Sequence, residues 1–252
     1  MRTPCVSPRR GEGHAVNGSI RVLSCNLLSG GARIDALLEL VEREAVDLVC
    51  AQELSAPLAA ALRGVLPYGN LEHDQIVRGN GIASRRPVDV TRIHMPRRDG
   101  WAAALSPAHW PTLPAPMEVV NVHISGPHIW PYFPNPVRRR AQVDALLAEG
   151  AARQAVPHAI LGDFNSTPLW HVYRRMRARY VDAVLATNGG RAAFRGTWPH
   201  LPGLRIRGLL RIDHCFLWRL EAVRARTVDL PGSDHLGLLV ELLPPAPAAD
   251  AG

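Results

Sequence analysis

An α/β or α+β architecture around one continuous core is what this chain predicts, and three observations carry the prediction. Short apolar, β-rich runs alternate with amphipathic helical patterns along most of the sequence. No internal repeat and no linker interrupts that alternation. The 252 residues, 47% of them hydrophobic and 20% charged, are enough to bury a sizeable core.

The elements follow in order. "SIRVLSCNLL" (19–28) reads as a strand ending near Asn26, and "RIDALLELVEREA" (33–45) places Ile34, Leu37, Leu38 and Val41 on one helical face. "VDLVCAQEL" (46–54) is a second strand, followed by "ALRGVLP", a Gly/Asn-rich turn and "NGIASRRPV" (80–88). "WAAALSP" and "MEVVNVHIS" (117–125) are further strands. "PVRRRAQVDALLAEGAARQ" (136–154) is an amphipathic helix with Pro136 near its start. "HAILGDF" is a strand, "YVDAVLAT" reads as helical, and "RIDHCFL" and "LGLLVEL" close the chain as strands. Residues 1–18 and the Pro/Ala stretch 245–252 read as tails around a single domain spanning 19–244.

Composition narrows the function classes. No uncharged apolar stretch reaches about 18 residues, which argues against a transmembrane helix. The basic N-terminus lacks the apolar segment of a secretory signal, so the expected location is the cytoplasm. Cys25, Cys50 and Cys215 lie in apolar runs, Cys5 lies in the tail, and no zinc-like spacing occurs. All 29 basic residues are arginine, against 22 acidic residues, giving a formal charge of +7. Arginine forks bind phosphate bidentately, which favours polyanionic or phosphorylated partners without separating nucleic acid from acidic lipid.

Polar residues stand at the tips of the apolar runs: Asn26, Glu53, His123, the pair Asp163 and Asn165, Asp213, and the pair Asp234 and His235. Strand ends are where α/β folds gather ligand and catalytic groups. Each residue alone is ambiguous; Asp163, for instance, could cap the helix near "LWHVYRRM". Together they suggest phosphoester cleavage. A hard divalent ion takes carboxylate and amide oxygens, a carboxylate accepts a proton from water, and an imidazole stabilises phosphoryl charge or protonates the leaving group.

In this order the motifs resemble those of the endonuclease/exonuclease/phosphatase superfamily. The matching segments are "SCNLL", "AQEL", "NVHIS", "GDFNSTP", "RIDHCFL" and "GSDHLGLLVEL", running from about residue 20 to 243. The resemblance implies a four-layer α/β sandwich, with two packed mixed sheets flanked by helices and the site at one end. It implies Mg²⁺ or Mn²⁺ as cofactor, Glu53 as main metal ligand, Asn26 beside it and Asp234 as a metal-side carboxylate. Asp163 would orient or deprotonate the attacking water, Asn165 and His123 would contact phosphate, and His235, partnered by Asp213, would act on the transition state. The segment around "TWP", "RIDH" and "PGSDH" looks like a bacterial branch whose relatives act on phosphorylated lipid intermediates and often carry membrane anchors. Without an apolar run of anchor length, this sequence is expected to depart from that pattern.

Substrate-binding positions are expected at Trp130, Arg138, Asn80 and Trp198. Trp130 and Arg138 belong to "GPHIWPYFPNPVRRR" (126–140), which suits either base stacking with phosphate-binding arginines or an apolar lip for a lipid. Arg85, Arg86, Arg97, Arg98, Arg174, Arg175, Arg177 and Arg179 offer contacts that could track a nucleic-acid backbone, although the last four also read as a solvated helix face. The expected activity is hydrolysis of a phosphoester in a small-molecule or lipid-like substrate, a prenyl phosphate among them. The alternative is a metal-dependent nuclease acting on DNA or RNA.

Overall fold

The computed structural model describes residues 18–73, 79–127, 135–189 and 196–244. Two six-stranded sheets dominate it. The first has the order β13-β14-β1-β2-β4-β3, the second β5-β6-β7-β8-β12-β9. In the first sheet β1 is Ile20–Asn26, β2 Leu48–Gln52, β3 Tyr68–Glu72, β4 Asn80–Ser84, β13 Ala222–Val228 and β14 Gly237–Leu242. In the second, β5 is Asp89–Ile93, β6 Gly100–Leu105, β7 Met117–His123, β8 His158–Asp163, β9 Val181–Asp182 and β12 Asp213–Trp218. A separate two-stranded ribbon pairs β10 (Trp198–Leu201) with β11 (Ile206–Leu210).

Successive strand side chains point to opposite faces, so each central strand feeds two cores. Val22, Leu48, Cys50 and Ile82 of the first sheet meet Ala103, Val119, Leu161 and Cys215 of the second in the layer between the sheets. The alternate residues Leu23, Val49 and Ala51 pack under α1 (Ile34–Arg43) and α2 (Ala56–Val65). Val120, Ile160 and Phe216 pack under α3 (Asn135–Ala152) and α4 (His171–Arg177). The result is the four-layer α/β sandwich expected from the sequence resemblance. Burial on both faces also explains why the central strands read as unbroken apolar runs.

Some elements differ from the sequence reading. "YVDAVLAT" splits into β9 and α5 (Ala183–Thr187), because the Asp182 carboxylate accepts bonds from the amides of Val184 and Leu185 and starts the helix there. Asp163 does not cap α4, which begins at His171 after Trp170. Gly162 has φ +145°, and a β-carbon there would lie 1.9 Å from the Val122 carbonyl oxygen; the close β7–β8 approach requires glycine.

The sheets are also joined by a buried amide ladder. Gln52 Nε2 donates to Asn121 Oδ1 (2.7 Å), and Asn121 Nδ2 donates to Asn80 Oδ1 (2.5 Å) and to the Ala51 and Gly81 carbonyls (2.9 and 2.7 Å). Removing the centre of such a network orphans its neighbours. Asn121→Ala is expected to lower stability by about 1–3 kcal/mol for each polar group left unpaired. A fall in the urea midpoint at unchanged m-value checks this.

Candidate active site

The sandwich places its polar strand tips at one end. β1 and β2 are parallel, which sets Asn26 beside Gln52 and brings Glu53 just beyond. β7 and β8 are parallel and pair His123 with Asp163. β12 runs antiparallel to β8 and opposes its first residue, Asp213, to Asp163. β14 is antiparallel to β1, so Asp234 and His235, which precede it, return to the same end. The inner-face parity is kept throughout: Val22 and Ser24 lead to Asn26, Leu161 leads to Asp163, and Cys215 leads back to Asp213.

The groups touch. Asn26 Nδ2 donates to Glu53 Oε1 and to Asp163 Oδ2, both at 3.2 Å, while Asn26 Oδ1 accepts the Leu28 amide at 3.0 Å. Ser29 Oγ donates to Glu53 Oε2 at 3.1 Å. Asn165 Nδ2 donates to Asp163 Oδ2 and to the Ile124 carbonyl, both at 3.0 Å, and its backbone amide donates to Asp163 Oδ1 at 2.7 Å. Both Glu53 (φ +52°) and Asn165 (φ +48°) adopt left-handed backbone conformations, which cost non-glycine residues about 1 kcal/mol or more. Strain of this kind gathers at sites that require one side-chain direction.

Asp163, Asp213 and His235 offer ligand atoms that all lie within 4.8 Å of one another, and all three residues are buried. His235 Nδ1 donates to Asp213 Oδ2 at 3.0 Å, leaving Nε2 as its outward nitrogen. Ser233 Oγ accepts the His235 amide at 3.0 Å and donates to the Asn26 carbonyl at 2.7 Å. Burial raises the Asp163 carboxyl to about 7, and the negative field of Asp213 adds to the rise. Burial opposes the His235 imidazolium, but Asp213, with help from Asp163 and Asp234, raises it to about 9. His123 goes the other way: burial, then the charges of Arg98 and His235, hold it well below the usual imidazole range. Arg98 Nη1 lies 2.6 and 2.8 Å from the two ring nitrogens of His123, and His123 Nε2 is 3.5 Å from Asp163 Oδ2.

This set fits a hard divalent ion. The carboxylate oxygens of Glu53, Asp163, Asp213 and Asp234 are the hard donors that Mg²⁺ or Mn²⁺ prefers, and Asn26 presents its Nδ2 to Glu53 and Asp163 beside them. Asp234 Oδ1 is buried without a protein partner, whereas its other oxygen accepts the Trp198 indole N–H at 2.8 Å. The cysteine sulfurs do not compete: Cys25, Cys50 and Cys215 are free and buried, and burial pushes all three thiols up, Cys25 to about 12.

The expected substrate contacts fare unevenly. Asn80 is buried and its amide is committed to the Asp99 carbonyl (2.9 Å) and to Asn121. Trp198 is half-buried and orients Asp234 through its indole. Arg138 is half-buried on α3, and it is the next residue, Arg139, whose Nη2 reaches the Asn165 carbonyl at 2.6 Å. Trp130 lies outside the described residues. The sequence assigns no role to Ser29, nor to Ser233 and Thr197 inside the quoted motifs; the Thr197 hydroxyl accepts the Asp213 amide at 3.2 Å. Small hydroxyl residues beside a motif carry no signal of their own.

A sequence comparison decides the family: the model described as "Endonuclease/Exonuclease/phosphatase family" matches residues 23–235. The chain belongs to this family. Its members are phosphoesterases, nucleases and phosphatases among them, and are generally dependent on divalent metal. No curated protein matches the chain. Among solved structures, a functionally unknown conserved protein from Enterococcus faecalis V583 is 18% identical, with TM-score 0.71, covering 89% of this chain and 100% of its own. The human Nocturnin catalytic domain with bound sulfate is 19% identical, with TM-score 0.68, covering 89% and 93%. D. rerio TDP2 complexed with single-strand DNA product is 16% identical, with TM-score 0.67, covering 89% and 98%. At these identities the likeness to the solved structures shows the shared fold. Among the described residues no helix is long and apolar enough to cross a membrane.

The His235–Asp213 pair makes stability fall with pH in the metal-free protein. An imidazole raised from its unfolded value near 6.5 to about 9 contributes stability that is full below pH 6.5 and is lost as pH rises through 9. That contribution is on the order of 3 kcal/mol at most. Urea unfolding with chelator present, at pH 6.5 and at pH 9, is expected to show the loss in wild type and a much smaller one in Asp213→Asn.

Proposed function

We propose that this chain is a divalent-metal-dependent phosphohydrolase that uses activated water on a phosphoester of a small-molecule or lipid-like substrate. The observation that carries the reading is the convergence of Asp163, Asp213 and His235 beside Glu53 and Asn26, with the Asp163 carboxyl raised to about 7 and the His235 imidazole to about 9, so that a proton acceptor and a proton donor coexist between those values. Glu53 and Asn26 would hold the ion, with Asp234 completing the oxygen set, and the ion would supply charge neutralisation at a phosphoryl oxygen.

The remaining chemistry belongs to the chain's own groups. Asp163, raised toward neutrality yet bonded by Asn165 and Asn26, accepts a proton from water as the water oxygen attacks phosphorus. The ester P–O bond breaks, and the leaving oxygen takes a proton from His235, whose imidazolium Asp213 stabilises. His123, kept neutral and close to Arg98, binds a phosphoryl oxygen through this pair without competing as an acid. Support for a small or lipid-like substrate comes from a cavity of about 520 Å³ beside Asn165. Pro127, Pro136, Val137 and Trp170 wall it, and Arg139 and Arg140 supply cation at its rim. A second cavity, about 250 Å³ and lined by Arg92, Arg97 and Arg98, adjoins His123 and favours the nuclease reading, since it could receive a neighbouring backbone phosphate.

A turnover panel with Mg²⁺ or Mn²⁺ tests both readings, using plasmid and single-stranded DNA, an aryl phosphodiester, and prenyl mono- and diphosphates. Phosphate release from the prenyl substrates alone supports the first reading. DNA nicking that declines steeply with salt supports the second. Glu53→Ala is expected to abolish metal-stimulated turnover and the thermal stabilisation by Mg²⁺ that binding to the native state produces. Asp163→Asn should lower kcat far more than it changes KM, because its interaction forms in the transition state. His235→Ala should cost roughly 10²-fold or more; a smaller loss would rule His235 out as the acid.

A further inference from the structure

The β10–β11 ribbon stands apart from both main sheets yet is rooted in the active site. The Trp198 indole and the His200 amide both donate to Asp234, at 2.8 Å to its carboxylate and 2.6 Å to its carbonyl. At its base Gly196 and Gly208 pack backbone against backbone. A β-carbon on either would lie 2.3–2.4 Å from the other's carbonyl, so the ribbon leaves the fold at a fixed angle.

Its surface is unlike that of an ordinary solvated loop. Directly paired residues share a face, and the register pairs Trp198 with Leu210 and Leu201 with Ile206. Trp198 and Leu201, three residues apart on β10, point to opposite faces, so both faces carry aliphatic groups: Leu201 is 37% and Leu210 40% exposed. At the tip Leu204 is 71% exposed, and Leu209 is 67% exposed. Arg205 is exposed beside Leu204, and exposed Arg207 is paired with Asp229 at 2.6 Å. Four exposed leucines on one short ribbon, with the Arg205 cation beside the tip, suit an interaction surface.

We propose that this ribbon docks the chain on an anionic lipid surface and thereby delivers a headgroup phosphoester to the catalytic end. The proposal rests on the phosphohydrolase reading for what happens after docking, but not for docking itself. Three observations select this occupant. Leucines with an adjacent arginine complement an acyl layer under anionic headgroups, and the chain as a whole carries +7. Pro199 within β10 and Pro202 after it lack backbone N–H groups, which opposes strand pairing with a second copy. Single-stranded nucleic acid would call for exposed aromatic platforms, and the tip offers aliphatic side chains instead.

The test is sedimentation of the full chain with vesicles of phosphatidylcholine alone or mixed with phosphatidylglycerol, with aryl phosphodiester turnover measured in parallel. Wild type is expected to sediment with the anionic vesicles and much less with the neutral ones. The double variant Leu204→Asp/Leu209→Asp and, separately, Arg205→Glu should each weaken that binding roughly tenfold or more, with aryl phosphodiester turnover unchanged. Wild type remaining in the supernatant, or both variants binding as wild type does, overturns the proposal. So does a wild-type dimer in solution that the variants dissolve, since it would make a second copy the occupant. Turnover without vesicle binding removes the docking surface alone; vesicle binding that follows the variants without any turnover removes the phosphohydrolase reading and leaves the surface standing.

Discussion

The antiparallel register of β12 against β8 is the constraint on which the rest of the site depends. It opposes Asp213 to Asp163, two buried carboxylates that cannot both carry an uncompensated charge in a low-dielectric setting. The protein resolves the conflict asymmetrically. His235 binds Asp213, so that carboxylate is paired with an imidazolium, and Asp163 is left with amide donors and a raised proton affinity. A one-residue slip of β12 would turn Asp213 to the helix-covered face and dismantle the arrangement. The geometry of the candidate site is therefore a consequence of strand register before it is a property of any one side chain.

That register is guarded by polar contacts behind the site. Amide groups of Gln52, Asn121 and Asn80 cross between the sheets directly beneath Glu53, where the apolar inter-sheet layer gives way to polar residues. Buried amides fix partners that apolar side chains leave interchangeable, because an unpaired amide is costly and a misplaced leucine is cheap. On the far side of β12, Arg211 and Tyr173 both bind Asp182 in a buried cluster that pins the chain two residues before Asp213. The candidate site is thus flanked on both sides by buried polar contacts.

The same physics sets what was legible in the sequence. Strands β1, β2, β7, β8, β12 and β14 are buried on both faces and read as apolar runs, and each polar tip is conspicuous because it ends such a run. The edge strands β5 and β13 expose arginines, aspartate and threonine, so they carry no run to read. The split of "YVDAVLAT" turns on one carboxylate cap, a local bond that hydrophobic periodicity does not register. Motif order made the chemistry of Asn26, Glu53, Asp163, Asp213 and His235 accessible, but not which arginine serves them. Among 29 basic residues, the selection of Arg98 for His123 and Arg139 for Asn165 is a tertiary fact. Asn80 and Trp198 stood out by position, and the structure employs both to orient other side chains.

Charge distribution unites these levels. The catalytic end gathers Glu53, Asp163, Asp213 and Asp234, while the chain as a whole is cationic and presents arginines at both adjoining cavities. An acidic centre alone would repel a phosphoester; a basic surround draws the anion in, and a cation at the acidic centre removes the last repulsion. A divalent ion at that end would therefore suit the electrostatics of the chain itself. Burial and the negative field of Asp213 raise the Asp163 carboxyl, the physical mark of a charge the protein alone leaves unbalanced.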